Sequence, residues 1–153
     1  MPVIWRHPGP LSPGRTGSEP ATRGVPFLYL ESTDGTDGPG RYPGAVLRVM
    51  AAAGMIDTPP APDVAAPRRL VGPGDLDVGG VVAGRSGLID VHVEVLDTVA
   101  AGAVVADIVD PRDGGRETVT APRAGVVAMH RRTASVTAGE LVAFLTDDED
   151  ERA

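Results

Sequence analysis

The chain has 153 residues, of which 42% are hydrophobic and 3% aromatic, and it carries 20 Gly, 15 Pro and no Cys. Fourteen cations against 21 acids leave a formal charge of -7, which argues against a phosphate-backbone or polybasic membrane-surface role, because such binding needs clustered cations. Without Cys there are no disulfides, thiolate zinc sites or cysteine nucleophiles.

The apolar runs are short and broken by Gly, well below the roughly 20 residues that cross a bilayer. The stretch from Met1 to Pro10 places Pro, His and Arg where a signal peptide needs a continuous apolar segment. A soluble, cytoplasmic protein is expected, with neither nucleic acid nor membrane as partner. All 14 cations are Arg; the sequence has no Lys.

In chain order, Val3-Ile4-Trp5 suits a short strand, and Pro8 to Gly24 reads as an irregular arm. Val25 to Glu31 is a compact β-prone run with apolar residues on both faces, expected as a buried strand with Pro26 near its start. It places Glu31 at the strand's carboxyl end, entering a Gly-rich loop, the edge at which open α/β sheets bind ligands. Asp34 and Asp37 in that loop are too few for the ~6–8 oxygen ligands of calcium, so a turn-rich loop is the simpler reading.

Pro43 to Ala53 has the spacing of an amphipathic helix, with Val46, Leu47, Met50 and Ala53 on one side, Pro43 in the first turn and Gly54 just beyond the end. Asp57 to Asp63 is Pro-rich and marks a boundary. The expected organisation is a partial α/β segment over 1–57, a linker over 58–70, a small all-β domain over 71–146 and a solvated acidic tail over 147–153.

The β region contains an internal repeat. Gly87-Leu88-Ile89-Asp90-Val91-His92 aligns with Gly125-Val126-Val127-Ala128-Met129-His130 at an offset of 38 residues, and Val99–Ala106 aligns with Val136–Ala143 at an offset of 37. Two copies are too few for a solenoid, so they are expected to fold together as two half-sheets related by a pseudo-two-fold axis. Ala121-Pro122-Arg123-Ala124-Gly125-Val126-Val127 is similar to the Ala-Pro-x-x-Gly-x-Val stretch of biotinyl and lipoyl carrier domains, and the repeat resembles their barrel-sandwich hybrid. Those carriers attach their cofactor to a Lys, which this sequence does not have.

The order of a Val25–Glu31 strand, a Gly-rich loop, a helix ending at Ala53-Gly54-Met55, a Pro-rich linker and a barrel-sandwich domain resembles the C-terminal part of the succinylglutamate desuccinylase/aspartoacylase family, zinc-dependent amide hydrolases related to zinc carboxypeptidases. The resemblance covers residues 24 to 145. It implies an α/β remnant followed by a barrel-sandwich domain, hydrolysis of an N-acyl amino acid or similar small amide, and zinc as cofactor. It also implies that the metal ligands, a His-x-x-Glu pair and a later His, lie upstream of the Glu strand.

Glu31 matches by motif the family's catalytic Glu, which takes a proton from the metal-bound water and returns it to the departing amine. The family usually follows that Glu with Gly-Gly, whereas Ser32-Thr33 stands here. The only histidines are His7, His92 and His130, none in a ligand-pair spacing, so no metal site is expected within the chain. A partner chain carrying the zinc-binding half, or a homo-oligomer, is expected to complete the site; the alternative is a non-catalytic binding or scaffolding module. Substrate-binding residues are not assigned: Arg68-Arg69 and Arg131-Arg132 read as solvated cations or ordinary surface ion pairs, and Gly72-x-Gly74 and Gly79-Gly80 are weak as phosphate cradles because no helix follows. No Gly-x-Ser-x-Gly elbow supports a serine hydrolase.

Overall fold

The computed structural model describes residues 3–9, 13–29, 41–57, 67–73 and 79–149. The chain divides into two units, one formed by Met1–Gly9 with Pro67–Ala153 and the other by Pro10–Ala66. The first nine residues therefore group with the β region rather than with the segment that follows them.

The β unit contains strands β1 (Val3–Arg6), β2 (Arg68–Val71), β3 (Gly80–Val82), β4 (Gly87–Val91), β5 (Thr98–Val99), β6 (Val104–Val109), β7 (Arg116–Thr120), β8 (Gly125–His130), β9 (Ser135–Val136) and β10 (Leu141–Asp148). They form one sheet of order β1-β2-β10-β8-β5, with β3 also on β10, and a second of order β7-β6-β4-β9. Among the described residues no closed barrel is found.

The sequence repeat is written into the pairing. β4 pairs antiparallel with β6 through Leu88 opposite Val109 and Ile89 opposite Ile108; β8 pairs with β10 through the equivalent Val126 with Thr146 and Val127 with Leu145. The short strands are exchanged between copies: β9 lies on β4, with Gly87 opposite Val136, and β5 lies on β8, with Gly125 opposite Val99. Even the turns correspond, since Gly102 and Gly139 have φ of 82° and 86° and donate to Ala121 O and Ala83 O at 2.8 and 2.7 Å. This exchange explains why neither copy closes alone: each borrows a strand from the other to cover its first strand.

The core follows from the same alternation. Val105, Ile108, Val127, Val142 and Leu145 are buried within one cluster, each worth about 1.5–3 kcal/mol relative to exposure. Phe144, also fully buried, packs on Trp5 with ring centroids 5.4 Å apart.

β1 reaches this sheet by pairing parallel to β2, Val3 opposite Arg68 through Arg6 opposite Val71. His7 Nδ1 lies 3.0 Å from Gly72 O, and Arg6 donates to Glu149 at 2.7 Å. The expected solvated acidic tail is corrected here: Asp147 and Asp148 are the last residues of β10, where Arg123 and Arg68 pair with them at 2.6 and 2.8 Å. A carboxylate run becomes a strand end when guanidiniums on a neighbouring strand (Arg68) and in the turn between β7 and β8 (Arg123) neutralise it. Residues 150–153 lie outside the described residues.

The second unit contains helices α1 (Ser18–Thr22) and α2 (Arg41–Ala52). The first is a correction to an irregular arm: the Ser18 hydroxyl donates to Arg15 O at 2.7 Å, the Thr22 hydroxyl donates to Glu19 O at 2.8 Å and the Arg23–Glu19 ion pair spans one turn. α2 ends as expected, with Gly54 at φ 70° and Met55 N donating to Met50 O at 2.9 Å while Gly54 N donates to Ala51 O at 2.8 Å, which satisfies the last carbonyls.

Val25–Tyr29 forms no strand and its side chains are exposed, contrary to the expected buried strand. Strand propensity is realised only against a partner that takes the backbone N–H and C=O groups, and unit 2 has no strand among its described residues.

Candidate functional site

Glu31 and residues 32–40 lie outside the described residues; the nearest described residues are the irregular Val25–Tyr29 segment before them and α2 after them. The linker residues 58–66 are likewise outside.

The histidines are separated into different environments. His92 Nε2 is 2.9 Å from Asp107 Oδ2, whose other oxygen accepts from the Thr118 hydroxyl at 2.7 Å. These two hydrogen bonds, the hydroxyl first, hold the Asp107 carboxyl below the usual carboxylate range. A nucleophilic triad would need the hydroxyl to donate to the imidazole; here it donates to the carboxylate, so the row is structural. His130 Nδ1 lies 3.0 Å from Arg131 O and its Nε2 lies 3.7 Å from Glu94.

Among the described residues, no group of three His, Cys, Asp or Glu is placed to hold a metal ion. A hydrolytic zinc site needs three protein ligands and an open position, so the residues described do not fit zinc.

The arginine pairs are reassigned by the structure. Arg68 is not a solvated cation: its side chain is 20% exposed, and it donates to Asp148 Oδ2 at 2.8 Å, Leu96 O at 2.6 Å and Thr98 Oγ1 at 3.1 Å. It thereby pins the Leu96 turn, where φ is 77°, to the end of β10. Arg131, 18% exposed, donates to Leu141 O, Thr133 Oγ1, Ser135 O and Glu140 Oε2. Arg69 keeps the surface role, 4.0 Å from Glu149.

Arg68→Ala is expected to lower stability by about 1–3 kcal/mol, because a half-buried carboxylate and carbonyl lose their donors; urea denaturation measures it, and an unchanged midpoint would return Arg68 to a bystander role. Gly72 is likewise structural: a Cβ there would lie 2.5 Å from Thr146 Oγ1.

A cleft of about 600 Å³ opens in the β unit, lined by Ser86, Asp110, Arg112, Arg131, Thr133 and Glu140 among others. Its charges are internally matched: Arg112 donates twice to Asp110, at 3.0 and 2.8 Å, and Arg131 pairs with Glu140 at 2.6 Å. No motif marked this cleft in the sequence, because its lining comes from three separate stretches of the chain, 86–88, 110–112 and 131–140.

Hydrogen bonds from the Arg112 side chain and then its backbone N–H lower the Asp110 pKa to about 2. A depressed carboxylate pKa contributes stability above its unfolded value and loses it as pH falls through the folded one. Asp110→Asn is therefore expected to cost stability at pH 7 and to flatten the acid limb between about pH 4 and 2. Parallel acid melts of the two proteins check this; identical curves would refute it.

No family profile and no curated protein matches the sequence, but solved structures do. The chain matches a succinylglutamate desuccinylase from Silicibacter sp. TM1040 with a TM-score of 0.77 at 19% identity, over 97% of this chain and 46% of that one. It matches the apo ectoine utilization protein EutE (DoeB) from Ruegeria pomeroyi with a TM-score of 0.76 at 18% identity, over 95% and 47%. This is the succinylglutamate desuccinylase/aspartoacylase fold. A succinylglutamate desuccinylase/aspartoacylase from Rhodobacter sphaeroides matches at 26% identity with a TM-score of 0.57, over 67% of this chain and 33% of that one. The chain thus spans less than half the length of the desuccinylase/aspartoacylase structures it matches.

Proposed function

We propose that this chain supplies part of an amide hydrolase of the succinylglutamate desuccinylase/aspartoacylase type, acting in the cytoplasm on a small N-acyl amino acid. Glu31 is its general base and the β unit borders the path of the substrate. The observation that carries the reading is the match over 95% and 97% of the chain to two structures of this fold. A carboxylate at this position accepts a proton from the attacking water and passes it to the departing amine. In this reading the β unit carries none of the reacting groups, and the charges of its cleft are internally paired.

The residues described here do not make a metal site, and in this reading a complementary polypeptide holds the zinc. Mixing the full chain with such a zinc-binding polypeptide is expected to release amino acid from an N-acyl amino acid at a rate neither component shows. A mixture that forms a stable complex and hydrolyses nothing would leave a binding or scaffolding module in its place.

A further inference from the structure

The duplication in the β unit runs deeper than the repeated sequence. The first copy is β3-β4-β5-β6 and the second is β7-β8-β9-β10. β3 lies on β10 with Val82 opposite Leu141 and Val81 opposite Ala143, and the register shifts between Leu141 and Ala143. β7 lies on β6 with Thr120 opposite Val104 and Val119 opposite Ala106, and there the register shifts between the equivalent Val104 and Ala106. The backbone bonds match as well. Ala83 N donates to Glu140 O and Ala121 N to Ala103 O, at 3.0 and 2.8 Å; Ile89 N donates to Ala134 O and Val127 N to Asp97 O, at 3.1 and 2.9 Å.

Each copy therefore gives its first and third strands to the other and keeps only its second and fourth paired together. The core is shared in the same way, with Val81 and Ala83 of one copy and the equivalent Val119 and Ala121 of the other buried in one cluster. The chain passes between the copies once, through the Asp110–Gly115 turn. Asp110 N donates to Gly115 O and Gly114 N to Asp110 O, both at 2.8 Å, and Gly115 N donates to Asp113 Oδ1 at 2.7 Å. The seam contacts are ones that a second chain can supply from the same residues, so only this turn distinguishes closure within a chain from closure between chains.

We propose that this seam is an interaction surface for a second copy of the chain. With the 110–115 turn extended, β3–β6 of each chain close on β7–β10 of the other, giving a strand-exchanged dimer. In that dimer β6 runs straight on into β7, and the two long strands lie antiparallel. The Arg68–Asp148 ion pair and the bonds from Gly84 N and Arg85 N to Glu117 become contacts between chains. The exchange involves the β unit alone and is independent of the hydrolase reading.

Leu88 provides the test, because it lies opposite Ser135 across the seam and opposite Val109 within its own copy, and the chain contains no Cys. Full-length Leu88→Cys and Ser135→Cys chains are mixed, unfolded, refolded together at high concentration and oxidised. They are expected to give a dimer joined by an 88–135 disulfide, since opposite residues on paired strands lie within reach of that bond. A mixture of Leu88→Cys and Val109→Cys chains is expected not to link, because that contact stays within one chain.

Light scattering of the unsubstituted chain is expected to show the dimer fraction falling as the refolding concentration is lowered. Deleting residues 111–115 leaves only Asp110 between Val109 and Arg116, short of the roughly two residues of the tightest common hairpins. That variant is expected at twice the mass of one chain at every concentration. A folded monomer of the deletion variant, or equal linking in the two mixtures, would overturn the proposal. If the deletion variant does not fold, the disulfide mixtures decide: no 88–135 link at the highest refolding concentration overturns it.

Discussion

On the proposed reading, Glu31→Gln is expected to lower kcat/KM for hydrolysis of an N-acyl amino acid by about 10²–10⁴-fold, equivalent to about 2.7–5.4 kcal/mol of transition-state stabilisation. Gln keeps the size and hydrogen-bonding reach of Glu but cannot take up a proton. Substrate binding should persist, so the loss falls on kcat with KM little changed. The thermal melt of the β unit serves as the folding control, since residue 31 belongs to the other unit. Full activity in the Gln variant would remove Glu31 from the mechanism.

Gly87→Ala and Gly125→Ala are each expected to destabilise the β unit by roughly 1–3 kcal/mol, the usual cost of forcing an extra carbon into a packed interior. A Cβ at Gly87 would lie 2.5 Å from Val109 O and 2.9 Å from Ile108 Cγ2, and one at Gly125 would lie 2.7 Å from Thr146 O. Both obstacles include a backbone carbonyl of the paired strand, which cannot swing aside as a side-chain tip would.

The two glycines hold the same place in the two copies, so near-equal losses are expected. Gly102→Ala and Gly139→Ala provide the contrast. A Cβ at either meets nothing within 4 Å, but their φ values are +82° and +86°, so the cost is the backbone strain of about 1 kcal/mol. Thermal or urea melts of the four variants check the ranking. Equal losses at all four positions would mean that strand approach is not what selects Gly87 and Gly125.

Much of the β unit was legible because its signals are local and doubled. Gly87–His92 and Gly125–His130 read as equivalent strands, which the pairing registers reproduce, and Val99–Ala106 aligned with Val136–Ala143, whose Gly102 and Gly139 turns correspond. α2 and its Gly54 terminus were legible for the same reason, since helix spacing and a left-handed end residue act within one or two turns. The strand expected over Val25–Glu31 shows the limit. Five β-prone residues state a preference, but a strand exists only if another segment accepts its hydrogen bonds. The arginines show another: Arg68 and Arg69 are adjacent and chemically identical in sequence, yet one is threaded between Asp148, Leu96 and Thr98 while the other faces solvent.

By itself the sequence determined that the chain cannot be a biotinyl or lipoyl carrier or a cysteine enzyme, because no Lys or Cys is present to react, and that its second half is a duplicated β structure, because alternation and turn glycines act over a few bonds. Only the tertiary structure decided that the copies exchange their short strands, that β1 joins β2 in parallel from the other end of a long connection, and that the acids of β10 are neutralised rather than solvated. Those outcomes depend on which distant edges and charges meet when the core closes, and burial of the shared apolar cluster is what brings them together.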